Sequence, residues 1–275
     1  MDVSTVLGLI VALGSVVLGF VLEGGHLSGL VNVSAALIVF GGTFGATCIS
    51  LPMSQILSIP ALLRQVIFSQ MMKPQEAIDQ LVALSKVARR NGLLALQSEM
   101  EKVSDRFLRR ALQLVVDGGD PDEVRHTLEI ELLAQERRHA GGEAVFSSMG
   151  AYAPTLGVLG TVMGLVHMLA RLDEPGKMGP AIAAAFIATM YGVGSANVIF
   201  LPLATKLKTN SKAETQLREL IMEGILGMQA GANPLALEER LKSFLSPKQR
   251  GGASVSSAKP TWQVSSVAQE AETSE

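Results

Sequence analysis

The stretch "APTLGVLGTVMGLV", residues 153–166, lies within an uncharged run and largely decides the fold. The run covers residues 144–170, which exceeds the roughly 20 residues that a helix needs to cross a bilayer. Three further uncharged windows lie at residues 3–22, 27–51 and 178–205. Only 17% of the residues are charged, against about 25% in a soluble domain. We therefore predict an all-α, polytopic membrane protein with four transmembrane helices and a helical cytoplasmic domain.

The distribution of lysine and arginine predicts the topology. The connector at residues 23–30 has none and that at residues 171–177 has two, whereas residues 64–138 carry twelve and the chain from residue 206 carries nine. Basic residues are retained on the cytoplasmic side of a membrane. Both termini and the large central segment are therefore predicted to be cytoplasmic, with the two short connectors outside.

These patterns divide the chain into five parts. We predict a transmembrane hairpin, a cytoplasmic helical domain, a second hairpin, C-terminal cytoplasmic helices and a disordered tail of mostly small and polar residues. In order, they occupy residues 1–51 (spans about 3–22 and 31–51), 52–143, 144–205 (spans about 146–170 and 179–203), 206–245 and 246–275.

The cytoplasmic segments have the 3.6-residue apolar period of amphipathic helices. One such helix is "PQEAIDQLVALSKVARR", residues 74–90, and Asn91-Gly92 predicts a break after it. A second amphipathic stretch covers residues 93–116, with an interruption near Asp105. Further helical stretches are predicted at residues 212–229 and 234–245.

Another helix has a complete start signal. Asp120 is its predicted N-cap and Pro121 its first residue, followed by acidic side chains that favour the positive end of the helix dipole. Basic residues and then Gly141-Gly142 predict its end.

The composition excludes several classes of function. The net charge of −2 gives no indication of nucleic-acid binding, and the single cysteine, Cys48, cannot form an internal disulfide. The cytoplasmic segments contain no phosphate-binding glycine motif, no zinc-protease motif and no cluster of cysteine and histidine. We therefore predict that the protein is not an enzyme and has no cofactor or bound metal.

Small residues recur every three or four positions in the last two windows, which lets another helix approach closely. The two matching stripes predict a shared interface, either within one subunit or between subunits. They consist of Gly150, Ala153, Gly157, Gly160 and Gly164 in the third window and of Ala181, Ala185, Ala188, Gly192 and Ser195 in the fourth.

The same two windows carry prolines and hydroxyl groups. Pro154 and Pro202, near the cytoplasmic ends, each leave a helix carbonyl without its partner. Thr155, Thr161 and Thr189 add hydroxyls that either bond back to their own helix or line a polar pathway. We consider these three threonines candidates for an ion pathway.

None of the four windows contains Asp, Glu, Lys or Arg. A carrier of protons or sodium usually needs a carboxylate within the membrane. His167 is the one titratable candidate, and its position near the outer end of the third span predicts an interfacial role. An ion-conducting role would therefore require a carboxylate from another polypeptide.

Several motifs together resemble the MotA/PomA family of flagellar motor stator proteins. The resemblance is carried by "GGEAVFSSMGAYAPTLGVLGTVMGLV" and its continuation to Lys208, by "GGTFGAT" with the following "LP" in the second span, and by "ARRNGLLAL" at residues 88–96. It covers almost the whole chain except the last thirty or so residues.

The resemblance implies a function. Family members form a homo-pentamer in the bacterial inner membrane around a dimer of a MotB-like, single-span protein that supplies the ion-binding aspartate. Cation flow between the partners is coupled to torque on a rotor switch-ring protein of the FliG kind. Membrane lipid is the remaining predicted contact.

The resemblance also implies roles for membrane residues. Pro154 and Pro202 match prolines implicated in torque generation, and Thr161 matches a hydroxyl near the partner's aspartate. Sodium-type members have two adjacent threonines in the fourth span, where this chain has Ala188-Thr189. Because one oxygen ligand is lost, the resemblance favours H⁺ as the transported cation, with Na⁺ as the alternative.

In the cytoplasmic domain, the resemblance implies a rotor interface. Arg89 matches the family's rotor-contacting arginine, with Arg90 as an adjacent alternative. The acidic partner eight residues on is replaced by Gln97, and Glu99 or Glu101 lies at a different angle on a helix. A solvated helix face is the alternative interpretation of these charges.

Two other functions are weighed against the stator. ExbB/TolQ-like energisers of outer-membrane processes resemble a three-span layout, which the four predicted spans and the cytoplasmic insert do not match. A channel or secondary transporter acting alone would lack a membrane carboxylate and the internal repeat common in transporters.

Overall fold

The computed structural model describes residues 3–68, 71–170, 173 and 175–247. No strand occurs among these residues, so the predicted all-α fold is confirmed. The predicted disordered tail lies almost entirely outside the described residues. In chain order, the α-helices are α1 (Val3–Leu22), α2 (Val33–Ala36), α3 (Gly42–Ser50), α4 (Met53–Ile56), α5 (Ile59–Phe68), α6 (Pro74–Asn91), α7 (Leu96–Met100), α8 (Arg106–Val116), α9 (Pro121–Leu169), α10 (Pro175–Ser195), α11 (Leu201–Gln229) and α12 (Pro234–Lys242).

Four helical stretches are long and apolar enough to span a membrane, as predicted. The first is α1, and the second combines α2, the π-helical segment Leu37–Gly41 and α3 into one rod. The third is the apolar part of α9. The fourth is α10, which continues through a second π-helical segment, Ala196–Phe200, into α11.

The helix α9 corrects the predicted end at Gly141-Gly142. It begins as predicted, with the Asp120 side chain accepting from the Asp122 amide, but it continues for 49 residues through both glycines and into the membrane. A Cβ at Gly141 would lie 2.9 Å from Gln55 Nε2, and one at Gly142 would lie 2.6 Å from Leu62 Cδ2. These glycines therefore allow close packing of neighbouring helices and do not end the helix.

The fourth span also continues into the cytoplasm. The sequence predicts a membrane span followed by a separate helix at residues 212–229, whereas in the structure α11 runs without interruption from Leu201 to Gln229. The helices α9 and α11 thus connect the membrane directly with the cytoplasmic domain. At roughly 1.5 Å per residue, α9 alone is roughly 75 Å long.

The cytoplasmic domain has its own hydrophobic core. It is formed by α6, α7, α8 and α12 packed around the cytoplasmic ends of α9 and α11. As predicted, Asp105 separates two helices: its side chain caps α8 by accepting from the Leu108 amide at 2.8 Å. Fully buried members of this core include Ile78, Leu81, Leu96, Leu108, Leu112, Leu128, Leu220, Ile221, Ile225, Leu237 and Leu241.

Candidate functional site

The two stripes of small residues face each other within one subunit. The helices α9 and α10 run antiparallel, and a Cβ at Gly157 would lie 2.9 Å from the Ala188 carbonyl oxygen and 3.2 Å from the Gly192 Cα. Two turns further along α9, a Cβ at Gly164 would lie 2.7 Å from that of Ala185. The two backbones are therefore in direct contact, and larger side chains do not fit between them.

The predicted site residues Thr161 and Thr189 meet at this contact. Their hydroxyls are within hydrogen-bond reach of each other, and the Thr161 hydroxyl also lies 3.1 Å from the carbonyl oxygens of Gly157 and Ala185. Two hydroxyl and two carbonyl oxygens thus gather at one level of an otherwise apolar helix pair. These oxygens can bind water or a proton inside the membrane, but none of the groups gains or loses a proton at neutral pH.

The structure separates the other two ion-pathway candidates from this pair. The Thr155 side chain is exposed, and its hydroxyl donates to the Tyr152 carbonyl of its own helix at 2.7 Å. Ala188 is buried against Ala35 and Val39 of the second span. A hydroxyl at position 188 would therefore lie between the second span and Gly160 of α9, where an added Cβ would lie 2.8 Å from that of Ala188, which a sequence pattern alone does not show.

The two prolines lie near the same level of the helix pair. Pro154 interrupts the hydrogen bonding of α9 by leaving the Gly150 carbonyl without its usual donor. A Cβ at Gly150 would lie 2.7 Å from Leu201 Cγ, and Leu201 precedes Pro202. Pro202 is the second residue after a π-helical segment and lines a cavity of about 410 Å³ beside α1. Both backbone irregularities thus lie at the ends of the spans nearest the helical domain.

Two tyrosines that the sequence analysis did not single out fasten the second span to the third and fourth. The Tyr191 hydroxyl donates to the Leu30 carbonyl and accepts from the Asn32 amide at 3.2 Å. At the other end of the same span, the Tyr152 hydroxyl lies 2.7 Å from the Ser50 hydroxyl. The chain has only these two tyrosines. Their rarity was the feature of the sequence that could have identified them as candidates for a specific contact.

His167 lines a cavity at the end of the spans away from the helical domain. The cavity has a volume of about 420 Å³ and lies between the second, third and fourth spans. Asn32 and Ser34 also line it, together with Ile38, Met163 and several alanines and glycines. Among the described residues, no three His, Cys, Asp or Glu side chains cluster as metal ligands would.

The predicted rotor-interface residues lie at the corner between α6 and α7. Arg89 and Arg90 are exposed in the last turn of α6, and Gln97 and Glu99 lie on α7. Glu99 forms an ion pair with Lys102 at 2.9 Å.

Comparisons with known proteins agree with this architecture. The MotA/TolQ/ExbB proton channel family matches residues 99–220, and the motility protein A N-terminal family matches residues 6–92. Motility protein A of Bacillus subtilis (strain 168) is 40% identical over 91% of this chain and 93% of its own length. The chemotaxis protein PomA of Vibrio alginolyticus is 36% identical over 91% of this chain and 98% of its own.

Solved structures share the fold as well. The MotAB structure of C. jejuni superimposes with a TM-score of 0.86 at 33% identity, covering 91% of this chain and 98% of the other. The flagellar MotAB stator complex of Bacillus subtilis gives a TM-score of 0.84 at 38% identity, with coverages of 89% and 97%. Both are structures of MotAB, the second as a flagellar stator complex.

Proposed function

The chain belongs to the motility protein A family and is a flagellar motor stator subunit, and on this premise we propose how it converts ion flow into torque. It is a multi-pass inner-membrane protein and not an enzyme. The broader family also includes the ExbB and TolQ proteins, but the relatives that match nearly the full length are motility proteins.

In our proposal, a MotB-like partner supplies the carboxylate that this chain lacks. The apolar parts of all four spans are free of acidic and basic residues. The oxygens of Thr161 and Thr189 lie at the α9–α10 contact, where they can bind water and a proton. A partner carboxylate at this level would complete a proton site.

The proposed cation is H⁺, with Na⁺ as the alternative. A hard cation such as sodium requires several oxygen ligands, whereas a proton needs the carboxylate and a chain of water. At the adjacent positions 188 and 189, the fourth span offers one hydroxyl, that of Thr189, because Ala188 has none. This supports proton coupling.

The main support for this mechanism is that helix α9 is continuous from the cytoplasmic domain into the membrane. It extends from the core of the cytoplasmic domain past Pro154 to the hydroxyls of Thr161 and Thr189. On the cytoplasmic side, α11 packs beside it. If ion binding at Thr161 and Thr189 displaced α9 and α10, the cytoplasmic domain would therefore move with them. Pro154 and Pro202 are the proposed positions at which this movement bends the helices.

The proposed assembly is a homo-pentamer around a partner dimer, with both termini in the cytoplasm. The orientation is supported by the excess of lysine and arginine in the central and C-terminal segments. In this orientation, the corner between α6 and α7 faces the cytoplasm, and Arg89 and Arg90 contact an acidic surface of a FliG-like rotor protein.

A strain with this chain and its cognate partner as its only stator tests the proposal. Swimming speed is recorded across external sodium concentrations at fixed pH, with and without a proton uncoupler. We expect speed to be independent of sodium and to vanish with the uncoupler. A speed that rises with sodium would overturn the ion assignment, and a strain expressing this chain without the partner is the control for coupling.

A further inference from the structure

An exposed leucine lies at the centre of the proposed rotor face. Leu94 belongs to the short turn Leu93–Ala95 between α6 and α7, and 72% of its surface is exposed. Its location in the cytoplasmic domain means that lipid does not cover it, unlike the exposed leucines of the four spans. A single exposed leucine is common on protein surfaces, and Leu94 becomes a candidate interface anchor because it lies beside the exposed Arg89 and Arg90 at the proposed rotor face.

The residues on either side of Leu94 hold its side chain on the surface. Leu93 packs against the cytoplasmic core, and Leu96 is fully buried within it. Gly92, with φ of 83°, reverses the chain at the end of α6 in a conformation that other residues rarely adopt. The turn is therefore fixed on the core, and the exposure of Leu94 is not the result of a loose loop.

The charged side chains nearest to Leu94 in the sequence are basic. Arg89 and Arg90 precede it, and residues 89–98 contain no acidic side chain. Neither guanidinium has an ion-pair partner among the residues that the structure describes. The nearest acidic side chain in sequence, Glu99, is paired with Lys102.

We infer that Leu94 is the apolar anchor of the rotor contact and that it inserts into an apolar pocket bordered by carboxylates. This inference rests on the proposed function and adds the apolar component to a contact described by charges alone. An identical corner of a second copy is a poor occupant, because its guanidinium groups would face those of the first. Insertion of Leu94 also offers a physical source of binding energy where Gln97 contributes no charge.

The test measures binding of the complete stator complex in nanodiscs to the purified rotor protein. We expect Leu94→Ala to raise the dissociation constant by at least about fivefold, the usual effect of truncating an interface anchor. Leu94→Asp should weaken binding further, because it places a charge in the apolar pocket. Leu94→Met, which preserves an apolar side chain of similar volume, should bind like the parent.

Leu235 provides the matched control. It is also a leucine, 69% of its surface is exposed, and it lies on α12 and not at the corner. Leu235→Ala should leave the dissociation constant unchanged. Torque per stator, measured with beads on single motors, should fall for Leu94→Ala and Leu94→Asp but not for Leu235→Ala.

The outcomes separate this inference from the function on which it rests. Unchanged binding and torque in Leu94→Ala and Leu94→Asp, together with weakened binding in Arg89→Glu, would overturn the role of Leu94 and leave the rotor face in place. If none of the three variants changed binding, the rotor face itself would be wrong. A loss of subunit assembly in Leu94→Ala would assign the leucine to a contact between copies and also overturn the inference.

Discussion

Replacing Gly157 with alanine tests the contact between α9 and α10 most directly. The added Cβ would lie 2.9 Å from the Ala188 carbonyl oxygen and 3.2 Å from the Cα atoms of Thr189 and Gly192. All three atoms belong to the backbone, so no side-chain rotation relieves the overlap. The two helices would have to separate by about 0.5 Å to restore ordinary carbon–carbon distances.

Overpacking of this kind costs about 1–3 kcal/mol. On the scale of domains of 150–250 residues, each kcal/mol lowers the melting temperature by roughly 2–4 °C, so we expect a decrease of roughly 2–12 °C. The same separation would pull the Thr161 hydroxyl away from that of Thr189, which are now in hydrogen-bond contact. Ion-driven rotation should therefore fall together with stability.

Thermal unfolding of the complex in nanodiscs, followed by circular dichroism, measures the effect. Gly14→Ala is the matched control, because this membrane glycine on α1 has no heavy atom within 4 Å of an added Cβ. Alanine favours a helix over glycine by about 1 kcal/mol, so this variant should be at least as stable as the parent. A melting temperature of Gly157→Ala equal to or above that of the parent would refute direct backbone contact.

Three further variants test other contacts. Tyr191→Phe removes the hydroxyl that joins the fourth span to Asn32, so unfolding of the complex should become easier by about 1–3 kcal/mol; an unchanged melting temperature would show that the bridge contributes nothing. Pro154→Ala should reduce torque per stator while the amount of assembled complex in the membrane stays constant, and a loss of membrane insertion would instead reveal a purely structural role. Arg218→Ala removes a guanidinium stacked 5.0 Å from the Phe107 ring centroid, which should lower the stability of the cytoplasmic domain by about 1 kcal/mol; a chemical denaturation midpoint equal to the parent's would contradict this.

The membrane helices could be predicted because lipid imposes a simple rule on length and charge. The start of α9 was equally clear, since Asp120 and Pro121 form a local signal that needs no tertiary contact. Its predicted end at Gly141-Gly142 was wrong because glycine has two uses, helix termination and close packing. Only the positions of Gln55 and Leu62 reveal which one applies here.

The candidate site could also be predicted only in part from the sequence. The period of the small residues predicted an interface, and the structure supplies the partner of each stripe. Hydroxyl roles could not be assigned from sequence, because Thr155 bonds to its own helix whereas Thr161 also meets Thr189 across the interface. The orientation of Ala188 towards the second span likewise depends on the rotation of α10, which no single-chain pattern records.

The tyrosine bridges have a consequence for biosynthesis. Tyr191 lies 159 residues after Asn32, and Tyr152 lies 102 residues after Ser50. At translation rates of roughly 5–20 residues per second, the second span emerges about 5–30 s before the tyrosines that hold it are made. During this interval the first hairpin resides in the bilayer without its permanent neighbours, and its final docking must follow synthesis of the second hairpin.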